Sequence, residues 1–204
     1  KAVMTAVQVQ LNVDFMKYWS LNAQLTFYPV GTLPPPRQWI LAFVDTLGPG
    51  GRLGEHFPPN SPGNPVPAVP YAKVYVKTIK DTVGSQWPRV VSIATSHEIL
   101  EMLADPFGTR YVANNVASPP GALVLVEVCD PVQYTYPYPV SGRFGQILVS
   151  NFVTPAWYNK NNGVKPFDKL GIVGQAMQIL SNGAASVVIT QLGIEIQIPG
   201  PVVI

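Results

Sequence analysis

From Val90 to Ala104 the only ionisable side chains are His97, Glu98 and Glu101, set in a run that is otherwise apolar or small. Such a run has the length and composition of a helix buried on most of its circumference. Trp87-Pro88 puts a proline in a first turn, where its missing N–H is no loss, and Asp105-Pro106 with Gly108 stops the run, so the spacing predicts a helix from Trp87 to about Ala104. Carboxylates buried without partners are strongly destabilising. The fold must therefore bring a metal ion, a shared proton or an opposite charge to Glu98 and Glu101, and active sites are built from the same devices.

The rest of the chain supplies a scaffold around this helix. Met4, Val7, Leu11, Phe15 and Tyr18 recur at helical spacing and predict an amphipathic N-terminal helix. Strands are expected over residues 22–30, over 38–47 as a central strand because it is nearly all apolar, and over 72–79 near a sheet edge. Residues 57–70, with prolines at almost every other position, can only be an irregular loop. A strand over 122–128 contains Glu127, turns follow through Tyr134, Tyr136 and Tyr138, and short strands over 146–152, 177–180, 186–190 and 194–198, separated by Asn182-Gly183 and Gly193, make the last third β-rich. The order of elements predicts one α+β domain over 1–204, a mixed sheet backed by two helices. No repeat, coiled coil, phosphate loop or dinucleotide fingerprint is present.

Composition narrows the partners. The net charge is +2 with Lys and Arg scattered singly, which favours neither nucleic acid nor an anionic membrane, and no apolar run is long enough for a membrane span. The chain opens at Lys1 without an initiator Met or a signal-peptide layout, which implies processing or trimming. Only 12% of residues are charged against 47% apolar, too little charge for an ordinary freely soluble cytosolic surface, so a homo-oligomer or other assembly and an extracellular or virion-associated setting are expected. The tail from Gly193 to Ile204 is apolar enough to add as a strand to a neighbour's sheet edge.

The chemistry concentrates on α-helical spacing. His97 and Glu101, four residues apart, project from one face, and Glu98 stands beside His97. In the zinc-peptidase pattern H-E-x-x-H two histidines at this spacing bind zinc and the intervening Glu is general base to the metal-activated water. Here Glu101 replaces the second histidine, and a carboxylate is an acceptable zinc ligand. Further ligands are sought in Glu127, an isolated carboxylate among valines and leucines, and in Asp130, with Asp105 and His56 as alternatives. Asp105 lies off the chelating face and suits a supporting or capping role; His56 falls in a loop. Cys129 reads as a core filler and determines no redox compartment. Trp157, Tyr158, Phe167 and the tyrosine run suit core or interface packing, or the walls of a cleft.

Ser96 to Pro106, with Glu127-Val128-Cys129-Asp130, Val149 to Tyr158 and Phe167-Asp168, resembles a family of uncharacterised bacterial and phage-encoded proteins that carry an S-H-E-L-L-E-M-L-x-D-P helix in a zincin-like order of elements. The family also has a G-x-H-D-like loop, matched by Gly54-Glu55-His56, although Phe57 stands where the aspartate is usual and an N-terminal strand before the first helix is missing. The resemblance implies a peptidase-like fold, zinc as cofactor and a peptide substrate. A structural or assembly protein on the same scaffold is the competing expectation.

Overall fold

The computed structural model describes residues 1–113, 122–133, 137–142, 145–159, 161, 163–189 and 194–200. In chain order the elements are α1 (Ala2–Val9), α2 (Met16–Trp19), β1 (Ile40–Val44), β2 (Gly54–Phe57), β3 (Tyr71–Tyr75), α3 (Val76–Val83), α4 (Trp87–Ala104), β4 (Tyr111–Ala113), β5 (Ala122–Leu125), β6 (Tyr138–Gly142), β7 (Gly145–Val149), β8 (Ala184–Ile189) and β9 (Ile194–Pro199). The fold is mixed α+β, in two compact units: Lys1–Phe107 with Tyr138–Val149, and Gly108–Pro137 with Ser150–Ile204. Among the described residues no helix is long and apolar enough to cross a membrane.

In the first unit α1 runs through a π-helical stretch, Gln10–Phe15, into α2. The wider π turn spaces the buried residues by four, so Val7, Leu11 and Phe15 are joined by Trp19 where α-helical spacing predicts Tyr18. The turn also buries Gln10, whose Nε2 donates to the Tyr138 hydroxyl at 3.1 Å, and that hydroxyl donates to Asp14 at 2.9 Å. β6 and β7 form a hairpin beside α1 and α4.

The mixed sheet has the order β1-β3-β2, with β1 parallel and β2 antiparallel to β3. This reverses two expectations. The apolar run of β1 is an edge strand with Phe43 half exposed, and β3, expected near an edge, is central. Lys73 is accommodated in the middle strand because its stem crosses the sheet face and its Nζ sits 4.5 Å from the Phe57 ring centroid, donating to the Gly63 carbonyl at 3.2 Å. The strand expected to reach Ile79 ends at Tyr75, and α3 begins directly, held by Lys77–Asp81 across one turn and by the Thr78 hydroxyl accepting the Gly48 N–H. Residues 20–29 form no strand. α3 and α4 back the sheet around Val74, Ile79, Val91 and Ala94. α4 has the predicted bounds.

The second unit is an antiparallel sheet of order β4-β5-β8-β9. β5 is shorter than expected: the Glu127 N–H donates to the Leu125 carbonyl at 3.0 Å and turns the chain. Met177 to Leu180 is not a strand either, since Met177 adopts a left-handed φ of 60° and its N–H bonds the Trp157 carbonyl. Trp157, Tyr158 and Phe167 are core residues of this unit. Tyr134, Tyr136, Thr190, Gly193 and the tail residues 201–204 lie outside the described residues.

Asp168, wholly buried, ties its own turn to Asn151 in the second unit by accepting from the Asn151 side chain at 2.8 Å and from the Leu170 and Val173 N–H groups at 3.1 and 2.8 Å. Asp168→Ala leaves the buried Asn151 and Val173 donors without an acceptor and is expected to cost roughly 3 kcal/mol in urea denaturation. A loss below about 1 kcal/mol would mean that water replaces the carboxylate.

Candidate functional site

Residues buried in α4 include Ser92, Thr95, Ser96, Glu98, Glu101 and Met102, so the helix is covered on nearly all sides. The small hydroxyl residues are satisfied locally or nearby: Thr95 donates to the Val91 carbonyl, Ser96 to Ile93, and Ser92 to Arg89 and to Leu148 of β7. The carboxylates have no such recourse within the backbone of their own helix, whose carbonyls can only accept.

α4 packs on β3 and β2. Along β2 the side chains alternate, so Gly54 and His56 share one face while Glu55 and Phe57 share the other. The Gly54 backbone lies directly on Glu98: a Cβ added there would stand 2.5 Å from Oε1 and 2.8 Å from Cγ. This close approach carries His56, two residues along, over the same carboxylates. Behind it, Glu55 accepts a hydrogen bond from the Tyr75 hydroxyl and pairs with the Arg52 Nη1 at 3.1 Å, fixing β2 to β3. Burial, then the Glu55 bond, pushes the Tyr75 phenol well above its usual range.

His56 Nδ1 lies 3.5 Å from Glu98 Oε2 and 3.7 Å from Glu101 Oε2, and His97 Nε2 lies 3.1 Å from Glu101 Oε2. The imidazole side chains are 12% exposed, Glu98 and Glu101 less. The donor atoms of His56, Glu98 and Glu101 all fall within 4.8 Å of one another. Ligands about 2.0–2.2 Å from a tetrahedral ion stand roughly 3.3–3.6 Å apart; the His56–Glu98 separation falls in that range, and the separations of His56 and His97 from Glu101 fall just above and just below it. Burial pushes the Glu98 carboxyl upward; the bond with His56 and the charge of His97 act against that, and Glu101 adds to it.

Of the residues expected from the sequence, His97, Glu98 and Glu101 are brought together as the helical spacing requires. His56, one of the alternatives and expected in a loop, is in a strand and joins them. The signal for it was Gly54-x-His56, a period-two pair on one face. Asp105 is buried at the end of α4, where its N–H donates to the Glu101 carbonyl at 2.8 Å. Glu127 and Asp130 belong to the second unit; the Glu127 carbonyl accepts from the Tyr158 hydroxyl, and Asp130 opens a short 3-10 turn. Cys129 is fully buried there. Comparisons with family models, with curated proteins and with solved structures gave no match.

A carboxyl whose proton affinity is raised by folding stabilises the fold at pH below its unfolded value, and that contribution is lost as pH rises through the folded value. Glu98→Gln does not titrate. In chelated protein, the stability of the variant relative to wild type is therefore expected to improve from pH 5 to pH 8, as read by urea denaturation; an unchanged difference would mean that Glu98 titrates alike folded and unfolded.

Proposed function

We propose that the protein is a metal-dependent hydrolase of peptidase-like type, with zinc as the cofactor and Glu98 as general base. The observation that carries this reading is the convergence of His56 Nδ1 and His97 Nε2 on Glu101 Oε2, with the Glu98 carboxylate alongside. Two neutral imidazoles and a carboxylate are a known catalytic zinc set that leaves one position open. When bound there, zinc supplies Lewis acidity and lowers the pKa of water. His97 and Glu101 would hold the ion from one helix face, and His56 would close the set from β2. Glu98, with proton affinity raised by burial, takes the proton of the attacking water and returns it to the leaving amine. The zincin-like resemblance of the helix agrees with these roles. The first unit supplies these four groups, and Glu127 and Asp130 stay further candidates on the sequence argument alone.

Purified protein is expected to hold about one equivalent of zinc and to hydrolyse an unstructured polypeptide, with loss of activity on chelation. Glu98→Gln should keep the metal and lose hydrolysis by about 10²-fold or more, whereas His97→Ala and Glu101→Ala should lose both. Protein that takes up neither zinc nor cobalt refutes the reading.

A second reading, an assembly protein, draws on one observation: edge strand β9 exposes Ile194 at 47% and Ile196 at 39%. Self-association through that edge should appear in sedimentation and be abolished by Ile196→Lys. A monomer at millimolar concentration rules it out.

A further inference from the structure

At the far edge of the mixed sheet from His56, a cavity of about 600 Å³ lies between β1, residues 23–28 and α4. Its walls include Leu25, Leu41, Phe43, Ile99 and Met102. Ile99 is two residues from both His97 and Glu101, on the other side of the helix, so the cavity is separate from the carboxylate cluster.

Two backbones face this cavity without pairing to each other. In a parallel ladder the N–H and C=O of a residue point to the same neighbour, and the Ile40 N–H donates to the Pro70 carbonyl beside β3. Ile40, Ala42 and Val44 therefore bond to β3, while the N–H and C=O of Leu41 and Phe43 point away from it, where among the described residues no strand lies. Across the cavity, residues 23–28 have the strand-like sequence noted above yet form no ladder. Their backbone is held by a side chain instead: Leu25 N–H donates to Gln8 Oε1 at 2.7 Å, and Gln8 Nε2 donates to the Ala23 carbonyl at 2.8 Å. Apart from Tyr28, the only ionisable residue on the walls, among the described residues, is Lys1.

We propose that this slot binds an extended segment of another polypeptide, which adds to β1 as a strand through Leu41 and Phe43. Only an extended chain offers N–H and C=O groups along the strand together with side chains at the strand repeat to fill an apolar floor. The wall charge defines the guest further: alternate apolar side chains, no cation, and at most a carboxylate to meet Lys1. This site is independent of the metal reading.

The test uses the full chain, with and without chelator, and the probe acetyl-Thr-Val-Glu-Val-Thr-Val-amide beside a copy N-methylated at every residue. Amide exchange by NMR should find Leu41 and Phe43 exchanging fast in the free protein and about tenfold or more slower with the probe, with Ala42 slow in both states. The N-methylated copy should give no slowing, and Phe43→Lys, at a half-exposed position the fold tolerates, should weaken the probe about tenfold while metal content stays unchanged. The proposal is overturned by equal effects of the two peptides, by binding that leaves Leu41 and Phe43 fast, by decanoate matching the probe, or by concentration-dependent slowing without any peptide. That last result would assign the slot to a second copy.

Discussion

The first unit depends on how two carboxylates survive inside an apolar helix. Glu98 and Glu101 are 5% and 3% exposed on α4, in surroundings where an unpaired charge is not tolerated. Their partners are two imidazoles, His97 from one turn along the same helix and His56 from β2. An imidazole is suited to this place because it can hold a proton, share one or give up a lone pair to an ion without changing its position. The same four side chains can therefore satisfy one another in the protein alone, and in the proposed metal-loaded state they would act as ligands and base.

That arrangement requires β2 to have two different faces. One carries Gly54 and His56 against α4; the other carries Glu55, gripped by Tyr75 and Arg52. β3 mediates between them as the central strand, with Ala72 and Val74 wholly buried and Tyr71 and Tyr75 nearly so. The sheet is small, and its register is fixed by polar contacts on one side and by backbone-to-carboxylate contact on the other.

What was legible in the sequence was local. α4 could be bounded because proline and the Asp-Pro stop act within a few residues, and the facing of His97 and Glu101 follows from helical geometry alone. The irregular loop expected over 57–70 begins one residue later, after β2 ends at Phe57, and follows from its prolines. Position within a sheet is not local. β1 looks central by hydrophobicity but turns its apolar residues toward a cavity, and β3, whose alternation of apolar and polar residues suits an edge, is central, with its Lys73 amine set over the Phe57 and Tyr71 rings. The end of β3 was missed because Val76, Thr78 and Ile79 favour strands by type, while the Gly48 contact and packing on α4 select a helix. His56 was undervalued because Gly54-x-His56 marks a shared strand face only once β2 is known to be a strand, and its packing on α4 is not local.

Gly54 has a consequence for how such a centre can vary. Where a residue's absence of a side chain sets the distance between a strand and a carboxylate, that position admits no graded change: alanine already intrudes on Glu98. Any drift in the affinity or reactivity of the cluster has to come from positions that shift β2 as a whole, such as Arg52, Glu55 or Tyr75 on its far face. The innermost contact is thus the least adjustable, and adaptation is displaced to residues on the far face of β2, away from the carboxylate cluster.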